Sequence, residues 1–574
     1  MLLFMVLLAC FYGYGIGHIY GFVIYPDEFG YWAHAARLAG YDWSDVVSLG
    51  SYYSFGYSII LFPFFYLFQD SVMAYRAAVT LNFFMLLADM VCLYKIAVKC
   101  LENQQEKSGK LRELMAIFSA VVIFFPGNLF YAWMTMTEIP LLTVYILICM
   151  LMLDYLEHSK FSTLICLVLA LIYIFFVHMR SAGVLIAGIC IIFLHVMVNL
   201  KKNRQVLLIL LAGTIILIMG SLVKNGISNK IYADANNLFG QFGKLRHILT
   251  WQGFLDLLGS LVGKLLYLGI ASYGTFYWGM YALSKNIYKG IKDAFRIKHI
   301  GTYVLFDMFV VLSVIGQIMI TSIYMVHAQR LDNLTYGRYN EFILPVVMIA
   351  GMKELSGDKQ KWIGTGAIGL SQLLATLLVI HTAEKKGLIT FHGYFMVGMS
   401  YLYDENNFEV RKFFLMAYAF GMVLTVLVTV VASYVKRCEF RFFMWIVIIA
   451  IQLVLAIRID VIYKNPFSKA TYRDTCMADK LEQYRKMVLF REGTGLEYRR
   501  IVYIEDEGLP LVDILQFLMR DEDIVIYRQR EFVYEYELLE TDLVLLNFES
   551  SQIADMADRY KYWDEYGHFI LFYN

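Results

Sequence analysis

Apolar windows long enough to cross a membrane recur from the amino terminus to Ile462. A spanning helix needs roughly 20 mostly apolar residues, and about thirteen windows approach that length. With 59% hydrophobic and 17% charged residues, the chain is too apolar for a soluble globular protein. The sequence therefore predicts a mainly α-helical, polytopic transmembrane bundle. Its spans are expected near Leu2–Ile24, Ala74–Val98, Leu114–Leu129, Ile139–Leu156, Ser162–Val177, Gly183–Val198, Val206–Leu222, Leu258–Leu283, Tyr303–Ile323, Phe342–Met352, Ile363–Ile380, Phe414–Val435 and Phe442–Ile462.

Two segments near the amino terminus need separate interpretation. Phe55–Phe68 is apolar but short, which fits an interfacial or re-entrant segment better than a full crossing. The opening stretch lacks a basic n-region and a clear small-residue cleavage site. We therefore expect a retained first span there.

Charge patterning predicts the orientation of the chain and a second domain. With the amino terminus inside, the loops rich in Lys and Arg fall on the cytoplasmic side, in agreement with the positive-inside rule. Residues 464–574 hold 22 acidic and 14 basic residues, net −8, in a chain whose net charge is +1. The odd number of spans places this tail and the loop that carries Asp27 on the same, outer side. The tail alternates β-rich apolar runs with helical patterns, so we predict a transmembrane domain over 1–463 and a small extracytoplasmic α/β domain over 464–574.

Ionisable and polar residues cluster at the predicted outer ends of the spans. They are Asp27 and Glu28 in "VIYPDEFGYWAHAARL", Glu138 in "YAWMTMTEIPLL", His178 and Arg180 in "FFVHMRSAG", and His327, Arg330 and Arg338 in "MVHAQRLDNLTYGRYNEFILP". Asp89 alone looks clearly intramembrane, and we interpret it as a structural hydrogen-bond partner. Carboxylates and cations on one face of the membrane favour chemistry at that face over transport through the core.

This set of side chains suits glycosyl transfer from a lipid phosphate. A carboxylate can accept the proton of the acceptor hydroxyl. A lipid phosphate is already a weak base and needs no general acid, but its growing negative charge requires Arg, Lys or a metal ion. Aromatic residues around the first loop could stack on a sugar face, or could belong to the interfacial aromatic belt: Tyr31, Trp32, Tyr52 and Tyr53.

Each site residue also has a structural interpretation. Asp27 and Glu28 could cap a short interfacial helix, since acidic residues favour helix N-termini. Glu138 could be the acidic first turn of its span. Arg338 could be an interfacial anchor, and His178 and Arg180 could snorkel. As functional residues, Arg338, Arg330, Arg180, His327 and His178 are predicted to bind the donor phosphate.

The arrangement resembles the GT-C class of membrane glycosyltransferases, close in organisation to the protein O-mannosyltransferase and aminoarabinose (lipid A) transferase group. The resemblance rests on the first span followed by "PDEFGYWAHAARL", on "SFGYSIILFPFFYLFQDSVMAYRAAVTLNFF", which resembles that group's "YPPLY" element and the following helix, and on "MTEIP" and "YGRYNEFILP". "SYYSFGYS" departs from the pattern because it lacks the proline pair.

The resemblance implies a role for each matched residue. Asp27 would be the general base, Glu28 its neighbour in contact with acceptor or metal, Glu138 the second acidic site, and Arg338 a ligand of the lipid phosphate. His178 and His327 match no position of the group. Metal use and the acceptor stay open.

The sequence therefore predicts an inverting glycosyltransferase that uses a polyprenyl-phosphate sugar at the outer face of the cytoplasmic membrane. Its expected partners are that donor, membrane lipids and an acceptor that is a protein, a lipid or a cell-wall glycan, with no nucleic acid. No cofactor is required, although a divalent metal ion could take part. A transporter or flippase for lipid-linked sugars is the first alternative and should carry a polar path through the bilayer. A scaffold is the second and predicts that Asp27, Glu138 and Arg338 lie far apart.

Overall fold

The computed structural model describes residues 1–47, 54–102, 109–199, 204–231, 244–297, 299–357, 361–390, 392–403, 408–433, 438–491, 500–505, 512–528 and 538–574. The first half contains eleven labelled α-helices. They are α1 (Leu2–Gly15), α2 (Tyr25–Ala39), α3 (Ser44–Val47), α4 (Gly56–Leu67), α5 (Ser71–Glu102), α6 (Gly109–Ile123), α7 (Pro126–Ala132), α8 (Glu138–His158), α9 (Phe161–Val177), α10 (Ala182–Asn199) and α11 (Arg204–Ile231).

The second half continues the helical bundle and ends in a small sheet domain. Its helices are α12 (Trp251–Ala271), α13 (Thr275–Ile297), α14 (Thr302–Tyr324), α15 (Leu331–Thr335), α16 (Leu344–Gly357), α17 (Lys361–Lys386), α18 (Val397–Ser400), α19 (Val410–Ser433), α20 (Cys438–Arg491), α21 (Val512–Leu518) and α22 (Ile553–Arg559). Its strands are β1 (Ile501–Glu505), β2 (Ile524–Arg528), β3 (Leu543–Asn547), β4 (Tyr562–Tyr566) and β5 (Phe569–Tyr573). Short 3₁₀ turns lie at Ile16–His18, Met179–Ser181, Glu341–Ile343 and Gly393–Phe395.

Helices long and apolar enough to cross a membrane dominate the described part of the chain. Eight pass on length and composition, and a bent pair raises the number to nine. Four shorter apolar helices lie at Leu2–His18, Gly56–Leu67, Phe161–Val177 and Phe443–Ile459. The chain is thus a multi-pass membrane protein with a mainly helical fold, as predicted. The segment predicted to be too short for a crossing, Phe55–Phe68, is the 12-residue helix α4.

Three predicted spans differ in detail from the helices observed. The first ends in the 3₁₀ turn at His18 rather than at Ile24. The span predicted at Leu114–Leu129 is bent by 57° between α6 and α7, where Pro126 begins a new helix. The span predicted at Leu258–Leu283 is split into α12 and α13 by a turn in which Tyr273 and Gly274 have φ of 55° and 76°. Left-handed backbone at these two residues ends α12.

The C-terminal domain is a mixed α/β layer, as the alternating tail predicted. Its five strands are ordered β2-β1-β3-β5-β4. The β2-β1-β3 part is parallel, whereas β5 pairs antiparallel with β3 and β4. The predicted boundary at residue 464 falls inside α20, which runs without a break from the membrane domain to the sheet domain.

The C-terminal domain lies on the same side of the molecule as α2. Trp43, just after α2, donates from Nε1 to the carbonyl of Arg520 at 2.9 Å. Ser71, at the start of α5, donates to the carbonyl of Phe517 in α21 at 2.7 Å. These bonds place the C-terminal domain beside α2, the helix that carries Asp27.

Candidate active site

Arg338 joins Asp27 and Glu138, two of the three carboxylates that the sequence predicted as catalytic; the third is Glu28. The Arg338 Nη1 donates to Asp27 Oδ2 at 2.6 Å, and its Nε donates to Glu138. The three side chains come from the start of α2, the first residue of α8, and the loop between α15 and the turn Glu341–Ile343. Arg338 is 1% exposed, and both carboxylates are buried. The scaffold alternative predicted that these residues lie far apart, and that prediction is wrong.

Local sequence explains how α2 and α8 present their carboxylates. Pro26 lies in the first turn of α2, where its missing N–H costs nothing, and Asp27 follows at once. Glu138 is the first residue of α8, and Pro140 is well suited to the first turn of that helix. Acidic side chains are stabilised by the positive end of the helix dipole at both positions. The two helix starts therefore face the same guanidinium.

Glu28 is held by the protein on both oxygens. Its Oε1 accepts from the backbone N–H groups of Val23 and Ile24 at 2.6 and 2.9 Å. Its Oε2 accepts from the Tyr75 hydroxyl at 2.6 Å and from the N–H and hydroxyl of Thr135 at 2.8 and 2.7 Å. A fully buried carboxylate with these donors anchors the start of α2 to α5 and to the segment before α8. This placement favours the capping interpretation over contact with an acceptor or a metal.

The aromatic residues predicted to stack on a sugar occupy the interior. Trp32 is fully buried and donates from Nε1 to the Thr135 hydroxyl at 2.9 Å. Tyr31 is buried edge-on against Tyr57 at 5.3 Å between ring centroids. Tyr52 and Tyr53 lie outside the described residues. Tyr31 and Trp32 are therefore packing residues of the interior, and their rings are not exposed for stacking on a sugar.

Cations and tyrosine rings alternate in a row that starts at Arg338. The Arg338 guanidinium carbon lies 5.4 Å from the Tyr339 ring, and that of Arg180 lies 3.9 Å from the same ring. Arg180 is also 3.7 Å from the Tyr324 ring, over which Lys244 Nζ lies at 3.9 Å. We call these five residues the cation–aromatic ladder. Stacking on aromatic faces lets partly desolvated cations lie close together.

The remaining predicted phosphate ligands are distributed around the ladder. His178 Nδ1 accepts the Arg180 N–H at 3.2 Å, and burial together with Arg180, Arg338 and Lys224 holds the pKa of His178 well below its usual value. A neutral imidazole cannot supply the predicted positive charge. Arg330 pairs with Asp332 at 3.0 Å. His327 is exposed and packs against the His247 ring at 4.3 Å.

A third carboxylate lies beside the site, and the sequence prediction missed it. Glu341 is buried, accepts from the Tyr267 hydroxyl, and lies close enough to Glu138 to feel its charge. Burial is the main cause that raises the pKa of Glu341 to about 8; the Tyr267 hydrogen bond opposes this shift, and the negative charge of Glu138 contributes to it. Its place in "YGRYNEF", three residues after Arg338, was the available signal.

Two lysines were missed as well: Lys264 is fully buried, and Lys224 is half-buried. Lys224 of α11 contacts the Met179 sulfur at 3.4 Å, next to Arg180. Lys264 of α12 donates to Ser260 at 2.7 Å. Both stand inside long apolar runs, where a single lysine leaves the hydropathy of the window high. The predicted partner role of Asp89 fits the structure, since Thr143 donates to it at 2.8 Å.

A divalent ion needs several oxygen or nitrogen ligands directed at one point. Among the described residues, no group of three or more His, Cys, Asp or Glu side chains has a metal-binding arrangement. Asp27 and Glu138 both direct an oxygen at Arg338, so the guanidinium lies where an ion bridging them would bind. A divalent ion therefore stays a prediction.

The fold and site together define a polytopic helical protein with an acid–arginine cluster at the end of its bundle and a small α/β domain beside it. That fold is similar to that of ArnT, an aminoarabinose transferase of the GT-C class. The structures of ArnT from Cupriavidus metallidurans in the apo state and bound to undecaprenyl phosphate both have a TM-score of 0.51. Their sequences are 10% and 11% identical to this chain, and each match covers 100% of this chain and 97% of the ArnT chain. No family model and no curated protein sequence matches the chain.

Proposed function

We propose that the chain is an inverting glycosyltransferase that moves a sugar from a polyprenyl-phosphate donor to an acceptor at the outer face of the cytoplasmic membrane. The observation that carries this proposal is the buried Asp27–Arg338–Glu138 cluster at the end of the cation–aromatic ladder. The similarity to ArnT supports the fold, and one of its structures binds undecaprenyl phosphate. The acceptor is a protein, a lipid or a cell-wall glycan.

Asp27 is the proposed general base. The acceptor oxygen attacks the anomeric carbon as its proton passes to the Asp27 carboxylate. The bond from that carbon to the phosphate oxygen breaks, and the polyprenyl phosphate leaves with the electron pair. One displacement inverts the anomeric configuration. A positioned base contributes about 10²- to 10⁴-fold to such a step.

In this proposal Arg338 holds Asp27 and Glu138 in place, and other cations bind the donor phosphate. Its Nε and Nη1 are engaged by Glu138 and Asp27, while Nη2 contacts the Met136 sulfur at 3.8 Å. One positive charge thus faces two negative side chains. The sequence-based assignment of Arg338 to the lipid phosphate is therefore revised in this proposal.

The donor phosphate is assigned to the far part of the ladder, at Arg180 and Lys244. Lys224 adds a third positive charge beside Arg180. Charge-assisted hydrogen bonds from such groups stabilise the negative charge that develops on the leaving phosphate. Tyr339 contacts both Arg180 and Arg338, so a single aromatic ring connects the proposed phosphate ligands to the arginine that pairs with the base.

The transporter alternative receives less support from the buried ionisable groups of the spans. A transporter should line its path with such groups. Asp89 and Lys264 are instead satisfied by the hydroxyls of Thr143 and Ser260. These contacts are typical of structural polar residues.

A panel of lipid donors tests the proposal. Purified protein is offered undecaprenyl-phosphate sugars, undecaprenyl phosphate and nucleotide sugars, and thermal stabilisation and release of undecaprenyl phosphate are measured. We expect stabilisation by the two lipids, and cleavage of a lipid-linked sugar. Arg180→Gln and Lys244→Gln should each weaken lipid binding about tenfold or more, because a hydrogen bond to a charged group contributes about 1.5–3 kcal/mol. Arg411→Gln, which changes an exposed ion pair, is the matched control. Translocation of an intact lipid-linked sugar without cleavage would favour the transporter instead.

A further inference from the structure

The C-terminal domain inserts two side chains between the elements that support the candidate active site. Phe517, in α21, is fully buried, and Arg520, in the turn after α21, is 5% exposed. Both residues are distant in sequence from Asp27 and Glu138. Arg520 nevertheless contacts Trp43, just after α2, and Phe65 of α4, and Phe517 contacts Trp32 of α2.

Arg520 caps the C-terminal end of α4. Its Nη1 donates to the carbonyl of Phe68 at 2.6 Å, and its Nη2 donates to the carbonyl of Phe65 at 2.8 Å and to the Tyr41 hydroxyl at 3.2 Å. Its guanidinium carbon also lies 4.0 Å from the Phe65 ring. The last carbonyls of a helix have no partner within the helix, and a cation there is favourable. Trp43 returns a hydrogen bond to the Arg520 carbonyl.

Phe517 fills the aromatic cluster under α2. Its ring centroid lies 4.7 Å from that of Phe22, 5.0 Å from that of Trp32 and 6.4 Å from that of Tyr75. Aromatic pairs at these separations are attractive beyond their buried area. The Phe517 backbone is fixed in turn by the hydrogen bond from Ser71.

The neighbours of Phe517 are the side chains that hold the catalytic helix starts. Trp32 donates to the Thr135 hydroxyl, and both Thr135 and Tyr75 donate to Glu28. Glu28 follows Asp27 directly, and Thr135 precedes Glu138 by three residues. A shift of Phe517 would therefore reach both carboxylates that pair with Arg338.

We propose that Phe517 and Arg520 are positioning residues through which the C-terminal domain fixes Asp27 and Glu138 around Arg338. This inference rests on the proposed function. The C-terminal domain is then part of the catalytic unit, because α2 packs against Phe517 and the end of α4 binds Arg520. A displacement of about 1 Å in a reacting group costs on the order of 10²-fold in rate.

The test compares kinetic constants in full-length variants. Phe517→Ala and Arg520→Gln should lower kcat for release of undecaprenyl phosphate from its sugar conjugate by about 10- to 100-fold. The KM for that lipid should stay within about twofold of wild type, since neither residue contacts the ladder. Phe517→Leu and Arg520→Lys should recover part of kcat. These two conservative variants also provide the test if Phe517→Ala or Arg520→Gln does not fold.

Two controls separate positioning from general stability. Arg500→Gln breaks an ion pair with Asp542 inside the C-terminal domain, and Phe548→Ala removes an exposed ring from it. Both should keep the wild-type kcat at a temperature where the protein is folded. Wild-type kcat in Phe517→Ala and Arg520→Gln would overturn the inference, as would an equal kcat loss in Arg500→Gln at the same loss of thermal stability.

Asp27→Asn in the same assay separates this inference from the proposed function. An active Asp27→Asn protein would overturn the function and the inference with it. An inactive Asp27→Asn protein together with a normal Phe517→Ala protein would overturn the inference alone.

Discussion

The charged side chains of the site are buried in an apolar bundle, where an unpaired charge is costly. Arg338 compensates Asp27 and Glu138 at once, and all three are shielded from water. Their positions at the predicted outer ends of spans made them candidates from the sequence, because carboxylates and cations on one face of the membrane suit glycosyl transfer from a lipid phosphate. Their mutual contact was not predictable, since it joins residues that are 200 and 311 positions apart.

Replacing Arg338 by lysine tests its bridging role. A lysine ammonium keeps the charge but lacks the planar fork that reaches two carboxylates. We expect Arg338→Lys to lower turnover about 10²-fold through misplacement of Asp27. Arg338→Ala should also lower the thermal midpoint strongly, since removing one partner of a buried ion pair costs about 3–5 kcal/mol. Wild-type turnover in Arg338→Lys would show that bridging is not needed.

Glu341 should make stability depend on pH. Its pKa in the folded protein is raised to about 8 from the usual 4.5, so the folded state holds its proton more tightly than the unfolded chain does. The associated stabilisation is complete below about pH 4.5 and is lost as the pH rises towards 8. Thermal midpoints measured from pH 5 to pH 9 should fall more steeply in wild type than in Glu341→Gln, whose neutral amide can still accept from Tyr267. Parallel pH profiles would contradict this assignment.

At the scale of helices, apolar windows predicted most elements, and short breaks escaped prediction. The turns before Pro126 and at Tyr273–Gly274 interrupt apolar sequence without lowering its hydropathy. The capping of α4 by Arg520 was also hidden, because it joins a helix end to a residue in another domain. In contrast, the alternating pattern of the tail was sufficient to predict a small α/β layer.

Glu28 anchors α2, and its removal should displace the catalytic carboxylate beside it. Both carboxylate oxygens of Glu28 accept hydrogen bonds. In Glu28→Gln an N–H₂ group replaces one of these oxygens and cannot accept from the donors that face it. Each buried donor that loses its acceptor costs about 1–3 kcal/mol. We expect a lower thermal midpoint and reduced turnover, measured in the same preparation. Glu409→Gln, at the exposed entrance to α19, changes the same group in solvent and should alter neither quantity. A stable and active Glu28→Gln protein would rule out the anchoring role.

At the scale of the whole molecule, a multi-pass helical bundle holds the acid–arginine cluster, and a sheet domain packs against the helices that support it. The fold is shared with ArnT at 10–11% sequence identity, so the resemblance lies in architecture. Composition and periodicity predicted that architecture, and short motifs predicted the members of the cluster but not their contacts. The cation–aromatic ladder was not predicted as a unit, because its members come from separate helices and loops. The sequence motifs indicated only Arg338 and Arg180 among them.

The most direct measurement compares turnover and lipid binding in wild type, Asp27→Asn and Asp45→Asn. Asp45 is an exposed carboxylate at the start of α3 and provides the matched control. The account predicts that Asp27→Asn loses about 10²- to 10⁴-fold in release of undecaprenyl phosphate from its sugar conjugate while retaining wild-type affinity for that lipid, and that Asp45→Asn behaves as wild type. Full turnover by Asp27→Asn would contradict the central claim that this carboxylate is the base.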